Sequence, residues 1–373
     1  PKHEIAIEKC GFYLPDEAKY DYLLNLPESE DLAGKVKAAM EMLEQYTAEL
    51  ADTLPKDVYY SVNSEDDPLV LSKLLRNFKD IPADVQLDIF GEIYEYFLSK
   101  FALAEGQGGG EFFTPSTVVR YMVEVLAPTE GKILDPACGS GGMFVQTAHY
   151  IEHHKKNGKQ MNLRAYGVEK TGATVKLAKM NLVLNNVRGT ITWANSYYRD
   201  PYDCFGQFDY VMANPPFNLK GWRTEDQLTD DPRFKGYGGV MPPVANANYA
   251  WIEHIISKLD VTHGIAGFLL ANGALNADGD EKTIRQSILE KDLVEAIIVL
   301  PRDMFYTTDI SVTLWIVNMN KHAGTVNGRA VRERANEILF MDLRTWNQNI
   351  EEIVIDKGKK KKKTVLTDGQ IAK

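Results

Sequence analysis

Residues 132–144, Lys-Ile-Leu-Asp-Pro-Ala-Cys-Gly-Ser-Gly-Gly-Met-Phe, are typical of a buried strand, a glycine turn and the start of a helix. Gly139, Gly141 and Gly142 permit a tight turn and a close approach of the backbone to a ligand. A helix that starts near Gly142 would direct its partial positive charge into the same crevice. The spacing differs from the Gly-x-Gly-x-x-Gly of dinucleotide-binding enzymes. The stretch therefore predicts an open α/β sheet with a ligand beside its first strand.

Acidic residues lie near the ends of the first two predicted strands. Asp135 precedes the glycine turn, where a carboxylate suits a cationic ligand such as S-adenosylmethionine better than a pyrophosphate. Residues 164–169 form the second predicted strand, and Glu169 stands where doubly wound folds bind ribose hydroxyls. A solvated helix cap is the alternative for Glu169. The third predicted strand leads into Asn195, whose side chain is suited equally to an adenine contact and to an Asx turn.

The fourth predicted strand, residues 208–213, ends in Asn214-Pro215-Pro216-Phe217. The amide oxygen of Asn214 and the carbonyl of Pro215 can each accept an N–H from one amino group. The prolines fix φ, so that both acceptors keep their direction, and the Phe217 ring can stack on a planar base. Such fixed dipoles direct the lone pair of an exocyclic amine toward an electrophile. The alternative is an ordinary strand terminator.

In this order and spacing, the motifs resemble those of the amino-methyltransferases of DNA. The sequence is most similar to the modification (M) subunits of type I restriction-modification systems. Further matching segments are residues 110–115, 246–251, 271–275 and 305–310. The resemblance spans about residues 60–345. One departure is Asn195-Ser196, where these enzymes commonly carry an acid.

The resemblance implies an α/β fold of the Rossmann-like, class I S-adenosylmethionine-dependent methyltransferase type with an N-terminal helical domain. It implies methylation of adenine N6 in double-stranded DNA, with the base flipped out of the stack, and no metal. The catalytic residues would be Asn214, Pro215, Pro216 and Phe217. Phe305 and Tyr306 would form another wall of the pocket or pack beneath the last hairpin. The residues expected to bind S-adenosyl-L-methionine are Phe113, Thr114, Pro115, Asp135, Ala137, Gly139, Gly141, Gly142, Glu169, Asn195 and Asn214.

The same resemblance implies partners. These are double-stranded DNA, a DNA-specificity (S) subunit, a second copy of the chain in a complex of two M and one S, and, in some systems, a restriction (R) subunit. M subunits usually continue into C-terminal helices that hold the S subunit. We therefore expect these 373 residues to be part of a longer protein.

Charge and composition agree with a protein that needs partners to bind DNA. The net charge is -10, and residues 1–105 carry -12 whereas the remainder carries +2. Phosphate attraction would therefore come from local patches or from a partner chain. Cys10, Cys138 and Cys204 lack metal-ligand spacing and are expected to be reduced thiols. With no apolar run long enough to span a membrane and no signal peptide, the sequence predicts a cytoplasmic protein without a membrane partner, and the resemblance implies a prokaryotic one.

The chain divides into three predicted parts. Residues 1–105 have helical periodicity, and residues 106–345 form the catalytic domain, with a closing hairpin made by 293–300 and 312–318. Residues 346–373 are a partly flexible, lysine-rich segment whose lysine run we expect to be a solvated tail. Residues 218–245 form a long irregular stretch that we expect to order around the extruded base.

Four alternatives stay open at this stage. Cytosine N4 presents the same kind of amine as adenine N6. A glutamine side chain in a protein is disfavoured, because such enzymes usually have Tyr at the position of Phe217. A catalytically silent scaffold that binds DNA or a partner would not need the intact tetrapeptide. A hydride-transferring Rossmann enzyme conflicts with the glycine spacing.

Overall fold

The computed structural model describes residues 2–62, 69–77, 79, 114–154, 162–305, 309–326, 329–354 and 360–373. The α-helices within these ranges are α1 Lys2–Cys10, α2 Tyr20–Leu24, α3 Leu32–Tyr46, α4 Val70–Asn77, α5 Ser116–Leu126, α6 Gly142–His153, α7 Gly172–Leu184, α8 Asn248–Lys258, α9 Asp280–Glu290 and α10 Asp368–Ile371. The strands are β1 Gly131–Asp135, β2 Leu163–Glu169, β3 Gly189–Trp193, β4 Tyr210–Ala213, β5 Ile265–Ala271, β6 Val294–Val299, β7 Val312–Asn318, β8 Gly324–Val326, β9 Arg329–Val331, β10 Leu339–Asp342, β11 Ile350–Val354 and β12 Lys360–Thr364.

Eight strands form the central sheet, in the order β10-β6-β7-β5-β4-β1-β2-β3. Neighbouring strands are parallel except at β7, which is antiparallel to both β5 and β6. The β6–β7 pair is the closing hairpin that the sequence predicts, and it is confirmed. Along the chain, β1 to β3 extend toward one edge, and β4 then returns to the other side of β1. Ligands of open α/β sheets bind where the strand order reverses in this way, at the carboxyl ends of β1 and β4.

Helices cover both faces of this sheet, because the buried parallel strands are apolar on both sides. On one face, Met122 of α5, Phe144 of α6 and Ala178 of α7 belong to one buried cluster. On the other face, Tyr249 of α8 and Ile284 of α9 belong to a second cluster. The predicted α/β methyltransferase-type fold is confirmed.

The described residues before position 80 form helices and turns. In α3, predicted from the periodicity of residues 32–43, Asp31 caps the first turn by accepting a hydrogen bond from the Gly34 N–H at 3.0 Å. A second predicted helical stretch, residues 85–98, lies outside the described residues, as does the glycine-rich joint at 106–110. The domain boundaries at 105 and 345 therefore stay predictions.

The lysine run near the C-terminus differs from the expected solvated tail. Residues 360–364 form β12, which pairs antiparallel with β11. The Lys363 side chain is 1% exposed and its ammonium lies 2.8 Å from a carboxylate oxygen of Asp309. Side chains alternate along a strand, so Lys361 and Lys363 share one face of β12. That face packs against Asp309.

Within the described ranges, no helix has both the length and the apolar character that crossing a membrane requires.

Candidate active site

A cavity of about 260 Å³ lies at the carboxyl ends of β1, β2 and β4, and the residues after β3 contribute to its wall. This is the edge of the sheet at which the sequence predicts the ligand. The described residues that line it are Pro136, Ala137, Gly139, Val168, Glu169, Lys170, Ala194, Asn195, Ser196, Tyr197, Tyr198, Asn214, Pro216, Leu219, Lys220, Gly221, Trp222 and Trp251. Parts of both predicted sites, the glycine turn and the tetrapeptide, therefore share one cavity.

The glycine turn lines the cavity at one residue and packs tightly against α7 at another. Gly139 lines the cavity, whereas Gly141 has a φ of +81° and immediately precedes α6. A Cβ on Gly141 would lie 2.9 Å from a methyl group of Leu182, so glycine is required there both by conformation and by space. The Asn181 side chain holds the turn by donating to the Ser140 carbonyl at 2.9 Å.

Glu169 bridges the first two strand ends. One carboxylate oxygen accepts a hydrogen bond from the Gly139 N–H at 3.2 Å, and the other accepts from the Thr171 N–H at 2.8 Å. The side chain lines the cavity although it is almost fully buried. Each carboxylate oxygen can accept further hydrogen bonds, which suits a pair of ribose hydroxyls. Within the described residues, its position fits ligand binding better than a solvated cap.

Asp135 lies beneath the glycine turn. It is not one of the described residues that line the cavity. Its side chain is 1% exposed, and one oxygen accepts from the Ala137 N–H at 3.0 Å. Burial raises the pKa of Asp135 to about 8, with the charge of Glu169 acting in the same direction and the Ala137 N–H opposing both. A cationic ligand nearby would favour the ionised form of this carboxyl.

The raised pKa of Asp135 predicts a specific pH dependence of stability. In the unfolded chain an Asp loses its proton near pH 3.9, whereas the folded chain keeps it up to about pH 8. The stabilisation is therefore complete at acid pH and is lost as the pH rises toward 8. Asp135→Asn retains an acceptor for Ala137 and cannot ionise. We expect it to reduce the fall in the free energy of unfolding between about pH 5 and pH 8, measured with urea at fixed ionic strength.

Glu253 provides an independent comparison for this measurement. Burial also raises its pKa to about 8, opposed by the backbone N–H groups of Lys235 and Tyr237. Glu253→Gln should remove a separate share of the slope, and the two effects should add. An unchanged slope in Asp135→Asn would contradict the assignment of a buried, protonated Asp135.

Asn195 both lines the cavity and forms an Asx turn. Its side-chain oxygen accepts from the Tyr197 N–H at 3.1 Å, which is the turn that the sequence allowed. This bond leaves the amide nitrogen as a donor toward a ligand. The following Ser196 donates to the Pro136 carbonyl, so the ends of β1 and β3 are joined directly.

Asn214 is the best-defined member of the tetrapeptide. Its amide nitrogen donates to the Thr114 hydroxyl at 2.8 Å, which orients the side chain. The amide oxygen is buried and accepts no hydrogen bond from the residues that the structure describes. Buried polar atoms are nearly always paired, so an unpaired acceptor here is the feature expected of a substrate contact.

The other tetrapeptide residues occupy different surroundings. Pro215 is buried, and Pro216 lines the cavity. The half-buried Phe217 meets Phe305 edge to face, with ring centroids 6.0 Å apart.

The predicted residues ahead of α5 are only partly described. Thr114 contacts Asn214 as stated above, and Pro115 immediately precedes the helix. Phe113 and Tyr306 lie outside the described residues, so their predicted roles stay predictions.

The predicted irregular stretch, residues 218–245, packs against α8. Trp222 and Phe234 are buried in a cluster with Trp251 of α8. The base of the loop is closed by reciprocal hydrogen bonds between Asn218 and Asn248, both 2.9 Å long. The loop thus forms one wall of the cavity.

Arg233, which no sequence pattern indicates, fixes this wall. The side chain is 4% exposed. It donates to Asp231 at 2.6 and 2.9 Å, to the Ser196 and Tyr197 carbonyls, and contacts His254 Nδ1 at 3.0 Å. Burial and the Arg233 charge lower the pKa of His254, so its ring is a neutral acceptor. The aromatic residues of the loop, Trp222 and Phe234, were the available sequence signal for a packed segment.

A family model and two related proteins match this chain. Residues 85–373 match the family model described as N-6 DNA Methylase. The chain is 39% identical over 316 residues to the type I restriction enzyme MjaIX methylase subunit of Methanocaldococcus jannaschii, covering 83% of this chain and 55% of that protein. It is 36% identical over 354 residues to the HindI methylase subunit of Haemophilus influenzae, covering 91% and 73%.

A solved structure agrees at the level of the fold. The type I restriction-modification methyltransferase subunit of Streptococcus thermophilus aligns with a TM-score of 0.77 at 21% identity, over 99% of this chain and 75% of that one. The chain spans about half the length of the MjaIX relative. From the family match and the two sequence relatives, this chain belongs to the N-6 DNA methylase family, together with type I restriction enzyme methylase subunits.

Proposed function

We propose that this chain is the catalytic part of a type I modification subunit, transferring a methyl group from S-adenosylmethionine to adenine N6 in double-stranded DNA. The observation that carries the proposal is the buried oxygen of Asn214, which accepts no hydrogen bond from the described part of the chain. It stands at the end of β4, in a side chain that lines the cavity and is oriented by Thr114.

The residues of the cavity fit S-adenosylmethionine. Glu169, held by two backbone N–H groups, has acceptor capacity for the ribose hydroxyls. Trp222 and Trp251 present flat apolar surfaces suited to the adenine ring, and Asn195 offers its amide nitrogen to the ring edge. Asp135 supplies a carboxyl below the turn that favours positive charge once ionised. When bound, the cofactor supplies an electrophilic methyl group.

The tetrapeptide acts on the amine that receives the methyl group. Asn214 Oδ1 and the Pro215 carbonyl would each accept one N–H of the adenine amine, which directs the nitrogen lone pair away from the ring plane. Phe217 would stack on the flipped base. Fixed acceptors of this kind need no reorganisation during the reaction, and the proton released after transfer leaves to solvent.

Partners follow from the charge distribution and from the proposed class. The catalytic part carries no strong excess of positive charge, so DNA affinity is proposed to come with an S subunit and a second M copy, together with an R subunit where one exists. The assembled protein would work in the prokaryotic cytoplasm, where the chromosome is accessible.

Two measurements test the function in sequence. Calorimetric titration of the chain with S-adenosylmethionine, S-adenosylhomocysteine and NAD should show binding of the first two and none of NAD. The chain assembled with the S subunit of its own system should then yield N6-methyladenine, detected by mass spectrometry of digested DNA. N4-methylcytosine instead would identify the cytosine enzyme, and cofactor binding without methylated DNA would identify a silent scaffold.

A further inference from the structure

The C-terminal hairpin contacts the connection between β6 and β7 at two places. The Lys363 and Lys361 ammonium groups lie 2.8 and 2.9 Å from the same carboxylate oxygen of Asp309. The Thr364 N–H donates to the Asp303 carbonyl at 3.0 Å. Lys363 is the buried member of this group, whereas Lys361 and Asp309 are partly exposed.

These two contacts lie on either side of Phe305. Phe305 is 5% exposed, and its ring meets that of Phe217 edge to face at an interplanar angle of 83°. Between the contacts, residues 306–308 lie outside the described part of the chain. The hairpin therefore contacts the connection on both sides of Phe305 in the sequence, at Asp303 and at Asp309.

We propose that Lys363 is a positioning residue, which acts through Asp309 to hold Phe305 against Phe217 and so fixes the pocket for the flipped adenine. The proposal rests on the proposed function. It assigns a role in base capture to the lysine-rich strand, rather than a role in cofactor binding or phosphate contact.

The energetics favour a defined position for the Asp309 carboxylate. A buried ammonium is costly unless it is paired, because a low-dielectric environment destabilises an isolated charge. Burial lowers the pKa of Lys363, and Asp309 opposes that shift. The two neighbouring ammonium groups hold the pKa of Asp309 below its usual value. Movement of Asp309 away from β12 would leave the buried charge of Lys363 without this partner.

The opposite face of the same strand provides a matched control. Lys360 pairs with Glu352 at 3.2 Å, with both side chains exposed. Exposed pairs of this kind contribute little. Lys360→Met therefore makes the same chemical change in the same strand without touching Asp309.

The experiment uses the chain assembled with its S subunit and a duplex with 2-aminopurine at the target adenine, whose fluorescence rises when the base leaves the stack. Lys363→Met should lose most of this rise and slow single-turnover methylation of the unmodified duplex about tenfold or more. Affinity for S-adenosylmethionine should stay unchanged. Lys363→Arg should restore much of the signal, and Lys360→Met should match the unaltered protein.

A second variant separates positioning from general loss of folding. Asp309→Asn changes the more exposed partner and should give the same loss of fluorescence with cofactor binding intact. Combining it with Lys363→Met should cost little more than Asp309→Asn alone, since Asp309→Asn already breaks the contacts with both Lys361 and Lys363. A normal fluorescence rise in either single variant, or an equal loss in Lys360→Met, would overturn the role of Lys363. Absence of methyladenine with the unaltered complex would instead overturn the proposed function.

Discussion

Asn214→Ala is expected to lower the rate of methyl transfer by about 10²–10³-fold or more, because it removes a fixed acceptor from the reacting amine. The buried oxygen of Asn214 accepts no hydrogen bond within the described structure, so it is available to the amine. Glu169 and the aromatic wall are untouched by the change. Affinity for S-adenosylmethionine should therefore stay within about threefold, since the ribose contacts are retained.

The measurement is single-turnover methylation by the chain assembled with its S subunit, with calorimetric titration of the cofactor alongside. Thr114→Val is the matched control, because it removes only the hydroxyl that receives the Asn214 amide at 2.8 Å. The amide would keep its oxygen but lose its orientation, so we expect an intermediate loss of about tenfold. Near-normal rates in Asn214→Ala would show that the amine is held by other groups.

Arg233→Met should destabilise the folded chain by about 3–5 kcal/mol, because it breaks a buried ion pair from one side. Asp231 would lose its charged partner, and the Ser196 and Tyr197 carbonyls would lose their donor. Ser196 and Tyr197 line the cavity. Affinity for S-adenosylmethionine should fall as well, at a temperature where the variant is still folded.

Equilibrium unfolding in urea measures the first effect and calorimetric titration the second. Arg233→Lys should recover part of the stability, because an ammonium keeps the charge but cannot form the guanidinium fork. Arg199→Met, at an exposed site two residues after Tyr197, should change stability by less than about 0.5 kcal/mol. A loss in Arg233→Met no larger than that in Arg199→Met would contradict a supporting role for Arg233.

Local sequence patterns predict the elements that depend only on residues close together in the chain. The β1 strand, the glycine turn and the start of α6 follow from residues 132–144, and the β6–β7 hairpin follows from two apolar runs. The position of Asn214 at the end of β4 follows from the apolar run before it and the two prolines after it. Edge strand β10 was not predicted, since its four residues, Leu339–Asp342, are largely exposed and carry no alternation.

Contacts between residues distant in the chain were beyond these patterns. Arg233 binds carbonyls more than thirty positions away, and Lys363 pairs with Asp309 across 54 positions. Neither pairing leaves a period or a motif in the sequence, because the partners meet only after the sheet has formed. The prediction of a solvated lysine tail is wrong for this reason. Lysine-rich composition favours an exposed segment, whereas the contact with Asp309 buries the Lys363 side chain.

The position of β7 has a consequence for biogenesis. This strand fills the gap between β5 and β6, yet it follows both in the chain. While the protein is being synthesised, β5 must present an open edge until residue 318 has left the ribosome. An unpaired, apolar edge is a template for aggregation. Fragments that stop before residue 312 should therefore collect in inclusion bodies, and those that extend beyond 342, where β10 also covers the outer side of β6, should remain dispersed.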